Sequence, residues 1–340
     1  MENKNRLPGI IFTRVWATIG IIIFHYFYHS NSTTKFLYLT QNSDFGYLYV
    51  TCFFAISGVV LYYNYPKNFS LKTFYFKRWK AIFPIFYLCW LFWYIRMVIA
   101  KQTFFWAGNP LKFIFSLFGI DGYFHYLIPN YYLVGEWFLG ALIFIYILYP
   151  LLCKCMNKNI LIVPVILFLG YILQYTTNFF VIEDHRNLFT CITSFYFGMI
   201  AIKYKNLFFK NKIIGLISLI LFLSLCFTKI QLPFINQTFI DQIQGLSLFI
   251  VLVWLGNYVM ETSISSIFKY LDKISFPMFL FQHHIIIVIL YFYNPLDIKY
   301  VLLNIIFIIL ITIICAKVVQ IITNFILETK IFKKIESKFI

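Results

Sequence analysis

Apolar runs, each roughly the length of one membrane crossing, recur along the chain and are separated by short polar segments. An α-helix needs about 20 such residues to cross the hydrocarbon core of a bilayer. We therefore expect an all-α, polytopic membrane helix bundle with about ten transmembrane helices. A further apolar run at 104–120 would form an eleventh span or a re-entrant helix. The ten predicted spans cover residues 8–29, 46–63, 81–100, 136–152, 160–178, 188–203, 212–229, 240–259, 274–293 and 300–325.

The composition agrees with a membrane protein. Of the 340 residues, 61% are hydrophobic and 12% are charged, whereas soluble domains contain about 25% charged residues. The polar segments are too short to fold independently, so we predict one membrane-embedded domain over residues 1–340. The sequence has no P-loop and no dinucleotide-binding fingerprint, which argues against ATP-driven transport by this chain alone.

The distribution of Lys and Arg predicts the topology. If the N-terminus is cytoplasmic, the cytoplasmic segments, beginning with Lys4 and Arg6, hold about three times as many Lys and Arg residues as the outer segments, which include Lys35. The positive-inside rule then favours cytoplasmic N- and C-termini. This bias also explains the net charge of +16, since basic residues contact membrane lipids, and no nucleic-acid partner is expected. The seven cysteines are an odd number, which argues against a disulfide framework.

The first predicted span contains two ionisable residues, Arg14 and His25. A central Arg costs about 2.5–3.5 kcal/mol in a bilayer even on the most lenient scale. Eleven residues make nearly three helical turns, so both side chains share one face and lie about 16 Å apart along the axis. Arg14 alone could snorkel to the interface, and His25 alone could be a neutral core histidine. Their shared face favours a common function, while His29 is expected to be solvated at the outer interface.

Two further segments carry candidate residues. The second span contains FFAISG, in which Ser57 and Gly58 would allow another helix to approach closely, usually for packing. Next comes a basic cluster of Lys77, Arg78 and Lys80. Such a cluster normally sets topology, but it can also bind phosphate groups at the mouth of a cavity.

The outer segment before the fourth span is the longest and most polar external segment. It contains Asp121, His125 and Asn130 and ends at Glu136 and Trp137. Hydrogen-bonding groups beside aromatic rings suit a carbohydrate, although Tyr and Trp also favour membrane interfaces on their own account. Glu136 is the strongest candidate because it begins a span beside Trp137.

Taken together, these features resemble the integral-membrane acyltransferase family 3, whose members modify cell-surface carbohydrates. The resemblance runs in order from about residue 7 to residue 325. It consists of the Arg–His pair of the first span, FFxxSG, the basic cluster before a proline and aromatics, GEWFLGALIFIYILYPLL at 135–152, SFYFGM at 194–199 and ISFPMFLFQHHIII at 274–287.

Two positions depart from the family pattern. In many members the basic cluster reads Arg-x-x-Arg, whereas Arg78 is followed at that spacing by Ala81, so a neighbouring lysine would have to substitute. In the ninth span the usual histidine position is occupied by Gln282, and His283 comes next. We assign the role to His283, although a shift of one residue rotates a helix face by about 100°.

The resemblance implies transfer of an acyl group, usually acetyl, from cytoplasmic acyl-coenzyme A to a hydroxyl of a cell-surface polysaccharide or its lipid-linked precursor, in a bacterial cytoplasmic membrane. His25 would act as a general base or carry the acyl group itself, with Arg14 beside it. The expected ligands of coenzyme A are Arg14, Lys77, Arg78 and Lys80, and the expected supporting residues are Ser57, Glu136, Trp137 and His283.

Two alternative functions are open to such a sequence. An exporter of polysaccharide or lipid-linked sugar would also contain many spans and polar intramembrane residues, but a carrier of neutral sugar would not need the basic cluster. A zinc site built from His25, His283 and His284 is disfavoured, because His283 and His284 point to different faces of their helix. We therefore expect no metal cofactor.

Overall fold

The computed structural model describes residues 7–33, 40–177, 179–230 and 236–339. Within these ranges every secondary-structure element longer than one residue is a helix. Lys4, Arg6 and Lys35, which contributed to the topology prediction, lie outside the described residues. The helices are α1 (Pro8–His29), α2 (Phe45–Asn64), α3 (Leu71–Lys101), α4 (Phe113–Leu117), α5 (Asp121–Phe124), α6 (Glu136–Lys158), α7 (Ile162–Thr176), α8 (Leu188–Lys203), α9 (Lys212–Phe227), α10 (Gln237–Val259), α11 (Ser265–Phe292), α12 (Ile298–Glu328) and α13 (Lys330–Glu336).

The predicted polytopic bundle is confirmed. Seven described helices are long and apolar enough to cross a membrane, namely α1, α2, α3, α6, α10, α11 and α12. The other three predicted spans fall on the shorter apolar helices α7, α8 and α9. The number of crossings and their orientation stay predictions.

The apolar run at 104–120 does not form an additional spanning helix. Gly108 adopts a left-handed conformation with φ +87°, and Pro110 supplies no backbone N–H for a continuing helix. The chain then forms a short 3₁₀ turn, Pro110–Lys112, and the five-residue helix α4. Local backbone chemistry therefore overrides the apolar composition of this segment.

Polar side chains define where several helices begin. Asp44 accepts a hydrogen bond from the Tyr47 backbone N–H at the start of α2, and Asn211 caps α9 in the same way. Such caps satisfy backbone N–H groups that have no partner within the helix. They fix the first residue of α2 and of α9, directly before the apolar residues of each helix.

Helix α1 lies at the centre of the bundle, in contact with α2, α10 and α11. In its most apolar stretch 67% of the residues are buried, against 28% for α3 and for α12, so those two helices present apolar side chains outward, as a lipid-facing helix does. Helices α2 and α8 cross where Gly58 meets the Phe195 carbonyl and Gly198 meets the Ala55 carbonyl. A Cβ at either glycine would overlap that backbone, which confirms the close approach predicted at Ser57–Gly58.

Candidate active site

Arg14 and His25 of α1 both face α11. Arg14 forms an ion pair with Asp272, and the His25 ring lies 5.0 Å from the His283 ring, centroid to centroid. Asp272 and His283 are eleven residues apart, the same spacing that separates Arg14 from His25. Because eleven residues make three turns, the two helices present matching pairs of polar groups at two depths of the bundle.

Glu136 joins the histidine pair from α6. Its Oε1 lies 2.9 Å from Nδ1 of His283. Gly135 and Glu136 both have positive φ, +93° and +48°, which is rare for a residue with a side chain. Such strain costs about 1–3 kcal/mol and persists only where surrounding contacts maintain it. The turn directs the Glu136 carboxylate to His283.

These residues line a cavity of about 520 Å³, here named the His25 cavity, at the end of the bundle where α1 ends. Its wall includes His25, Glu136, Trp137 and His283. The predicted supporting residues Glu136, Trp137 and His283 are therefore brought together beside His25, in a chamber large enough for a small ligand.

Three further residues that line the His25 cavity are ionisable. Asp44, His185 and Asp241 line it, and Nε2 of His185 lies 3.5 Å from Oδ2 of the buried Asp241. Burial raises the pKa of Asp44, and the hydrogen bond from the Tyr47 backbone N–H opposes this rise. Burial lowers the pKa of His185, opposed mainly by Asp44. The loop of His185 thus contributes to this cavity.

Two adjoining cavities, here named together the Arg14 cavity, lie at the end of the bundle where α1 begins. Their volumes are about 440 and 260 Å³, and both are lined by Arg14 and Asp272. Arg78 and Ser57 line the smaller one, and the Arg78 guanidinium lies 5.5 Å from the ring centroid of Tyr65. Two guanidinium groups therefore reach one chamber, a suitable arrangement for an anionic ligand.

The predicted basic cluster is only partly assembled at this chamber. Arg78 and Arg14 line it, whereas Lys77 and Lys80 are not among its lining residues. The Lys80 ammonium pairs with Glu336 at 2.6 Å. Two residues along a helix rotate the side chain by about 200°, so Lys80 faces away from the side on which Arg78 lines the chamber. Lys80 joins α3 to the C-terminal helix α13.

An aromatic barrier of Phe53, Phe138 and Phe279 separates the two chambers. Their ring centroids lie 5.5 to 6.3 Å apart, within the range of favourable ring contacts. Phe138 and Phe279 line both the His25 cavity and the smaller part of the Arg14 cavity. The two rings that both cavities share therefore lie at the boundary between the chambers.

The neighbouring histidine and glutamine of α11 have other surroundings. Nε2 of His284 lies 2.6 Å from the Leu133 carbonyl oxygen, and its ring stacks on Trp93 at 4.3 Å. Gln282 is fully buried. The choice of His283 over His284 therefore agrees with the geometry, since His283 is the one beside His25 and Glu136.

The outer segment is built differently from the carbohydrate surface suggested by its sequence. Asp121 and Asn130 are 1% and 2% exposed. The Ser116 hydroxyl donates to the Asp121 carboxylate at 2.7 Å, and the Asn130 amide donates to the Asp121 carbonyl at 3.0 Å. These groups hold the segment together, while Tyr126 and the end of the segment at Glu136 and Trp137 line the cavity.

Asp272 and His29 are among the residues of the site that were not predicted from the sequence. Asp272 was hidden by its basic neighbours Lys269 and Lys273, although its spacing from His283 repeats the Arg14–His25 spacing. His29 lies one turn beyond His25, and its ring centroid is 4.7 Å from that of His283. Sequence alone does not reveal that α11 packs against this end of α1.

A family model described as an acyltransferase domain matches residues 7–319. The chain belongs to acyltransferase family 3. Searches of curated proteins and of solved structures find no match. Both chambers and the aromatic barrier lie within the matched residues, so this acyltransferase has its candidate site inside its family domain.

Proposed function

We propose that this acyltransferase is a membrane-bound O-acetyltransferase. It takes an acetyl group from acetyl-coenzyme A in the Arg14 cavity and transfers it to a hydroxyl of a cell-surface polysaccharide, or its lipid-linked precursor, in the His25 cavity. The chain lies in a bacterial cytoplasmic membrane with both termini cytoplasmic. The observation that carries the proposal is the pair of chambers at opposite ends of α1, one with arginines and the other with histidines.

Arg14 and Arg78 support the assignment of the donor. Coenzyme A has a phosphate-rich head and a long, thin arm that ends in the thioester. Guanidinium groups pair with phosphate oxygens through two hydrogen bonds. With the head held at Arg14 and Arg78, the arm extends along α1 toward the aromatic barrier, and the distance from Arg14 to His25 is about 16 Å along the helix axis.

The surroundings of His25 support the assignment of the reacting centre. In the proposed reaction, the acceptor hydroxyl oxygen attacks the thioester carbonyl carbon while His25 accepts the hydroxyl proton. The C–S bond then breaks, and the coenzyme A thiolate leaves and takes up that proton. A positioned imidazole is typically worth 10²–10⁴-fold in rate. Glu136 holds His283, and His283 packs against His25, so these two act as positioning residues.

Acetyl transfer from radiolabelled acetyl-coenzyme A to cell-envelope glycan in isolated membranes tests the proposal. His25→Gln should lower the initial rate at least 100-fold with normal amounts of protein. His125→Gln, whose ring lies in the outer segment and does not line the His25 cavity, is the matched control and should keep its activity. An unchanged rate in His25→Gln would refute the assignment, and glycan transport without any acetyl transfer would favour the carrier function.

The same membranes distinguish a general base from an acyl carrier. Without acceptor, a carrier accumulates label on His25 that hydroxylamine releases, whereas a base leaves the protein unlabelled. Because His25 lies in the same cavity as the proposed acceptor, we expect direct transfer and no labelled protein. Stoichiometric labelling that is lost in His25→Gln would establish the carrier mechanism instead.

A further inference from the structure

Three histidines meet at the end of α1. His25 and His29 lie one turn apart on α1, and His283 approaches from α11. The His283 ring centroid is 5.0 Å from that of His25 and 4.7 Å from that of His29. One ring nitrogen of each histidine lies within 4.8 Å of the corresponding nitrogens of the other two.

Three nitrogens of this trio are buried without a hydrogen-bond partner in the part of the chain that the structure describes. They are Nδ1 of His25, Nε2 of His29 and Nδ1 of His283; the last lies 2.9 Å from the Glu136 carboxylate, but outside hydrogen-bond geometry. Buried polar atoms in native proteins nearly always have a partner, and an exception points to a water molecule or an ion. The unpaired nitrogens therefore indicate that these rings bind something other than protein.

The position of Glu136 favours a metal ion. A histidine that ligates a metal commonly donates its other ring N–H to a carboxylate, which orients the ring and increases its basicity. Nδ1 of His283 lies 2.9 Å from the Glu136 carboxylate, so a small rotation of the ring would let it donate its N–H there and turn the lone pair of Nε2 to a metal. Three imidazoles suit zinc and its neighbours rather than magnesium or calcium, which prefer oxygen ligands.

We propose that His25, His29 and His283 bind one divalent transition-metal ion of the zinc class. His25 and His283 also line the His25 cavity, so the fourth coordination position faces the chamber. Zinc–nitrogen bonds are about 2.0–2.1 Å long, which requires the three nitrogens to draw closer by small rotations of the rings. The site draws on His29, which the sequence had suggested was solvated, in place of His284.

Metal binding has a consequence that rests on the proposed function. The ion occupies the lone pair with which His25 would accept the hydroxyl proton. Zinc therefore inhibits acyl transfer reversibly, and the cluster serves as an inhibitory metal site at the mouth of the active chamber.

Direct binding is tested on the purified full-length chain in detergent after treatment with a chelator. Titration with Co²⁺ should give one ion per chain with the visible absorption of a four-coordinate nitrogen site, and Zn²⁺ should displace it. Glu136→Gln should weaken the affinity 10–100-fold, as expected for a group that orients a ligand, and His29→Gln should weaken it more. His125→Gln is the control and should bind normally.

Two results would overturn the site: no stoichiometric Co²⁺ binding by the wild-type chain, or equal affinity in His29→Gln. His283→Gln provides an independent check if His29→Gln does not elute as a monodisperse species. The binding titration contains no substrate, so it decides the metal site even if the proposed function fails.

The inhibitory consequence is measured separately. The transfer rate of each protein is measured with chelator and with added Zn²⁺, so that the rate with Zn²⁺ is compared with the metal-free rate of the same protein. The wild-type rate should fall and recover on chelation, while His29→Gln should need at least tenfold more Zn²⁺ for half-inhibition. Stimulation by Zn²⁺, or binding without any loss of rate, would overturn inhibition. A complete lack of transfer by wild-type protein both with chelator and with added Zn²⁺ would refute the proposed function.

Discussion

The Arg14–Asp272 ion pair should contribute strongly to stability, and removing Arg14 should cost more than removing Asp272. The Asp272 side chain is 1% exposed and that of Arg14 is 28% exposed. Removing one partner of a buried pair costs about 3–5 kcal/mol, because the other charge is left uncompensated. In Asp272→Asn, water can still reach the guanidinium, so we expect a loss near the lower value. In Arg14→Gln the carboxylate is left buried, so we expect a loss near the upper value.

The surface pair Lys80–Glu336 is a matched control. Its atoms are 2.6 Å apart, but the two side chains are 29% and 27% exposed. Exposed pairs typically contribute about 0–1 kcal/mol. Lys80→Gln should therefore reduce the free energy of unfolding far less than either substitution in the Arg14–Asp272 pair.

Unfolding by SDS in mixed micelles, followed by tryptophan fluorescence, measures these differences. The double variant Arg14→Gln/Asp272→Asn should lose less stability than the sum of the single variants, because it removes both charges of the coupled pair. Additive losses, or a loss in Asp272→Asn no greater than in Lys80→Gln, would refute the interpretation of a coupled buried pair.

Three further predictions concern the donor, the outer segment and the helix crossing. Arg78→Ala should raise the KM for acetyl-coenzyme A at least tenfold, whereas Lys80→Ala should change it less than twofold; equal effects in steady-state kinetics would contradict the partition of the basic cluster. Burial raises the pKa of Asp121 from 3.8 to about 7, so folded Asp121 retains a proton that the unfolded chain releases, and its contribution to stability falls as pH rises from about 4 to about 7. The melting temperature of Asp121→Asn should therefore increase relative to that of wild type as pH rises across that window, and the difference should grow no further above it. A difference in melting temperature that does not change with pH would contradict the burial argument. Gly58→Val should prevent α2 from seating against the Phe195 carbonyl, and full recovery of monodisperse protein in size-exclusion chromatography would show that the crossing is more tolerant than its geometry suggests.

Hydropathy located the predicted spans well but not the full lengths of the helices. The third span was predicted at 81–100, whereas α3 covers Leu71–Lys101. Its first ten residues include the basic cluster, yet Phe74 and Phe76 are buried there. A hydropathy pattern detects the part that crosses hydrocarbon, while a helix continues into the interface wherever one face finds protein to pack against.

Helix geometry by itself predicted only the part of the candidate site whose residues share one helix, whereas Glu136, Trp137 and His283 were expected with the help of the family resemblance. The common face of Arg14 and His25 follows from helix geometry. Their partners Asp272 and His283 lie 258 residues further along the chain in each case, and no local pattern specifies how α1 and α11 align. The strained turn at Glu136 was equally hidden, because a positive φ at a residue other than glycine depends on the packing around it.

The aromatic barrier has a consequence for the membrane as well as for the reaction. Two polar chambers that enter a bundle from opposite ends would, if joined, let ions and protons cross and so dissipate the transmembrane voltage, which is worth about 2.3 kcal/mol per charge at 100 mV. Phe53, Phe138 and Phe279 place three apolar rings at that junction. In the proposed reaction, the slender end of an acyl thioester would pass between these rings, whose apolar faces disfavour hydrated ions. The contacts among these three rings would therefore prevent ion leakage across the membrane while the proposed acetyl transfer takes place.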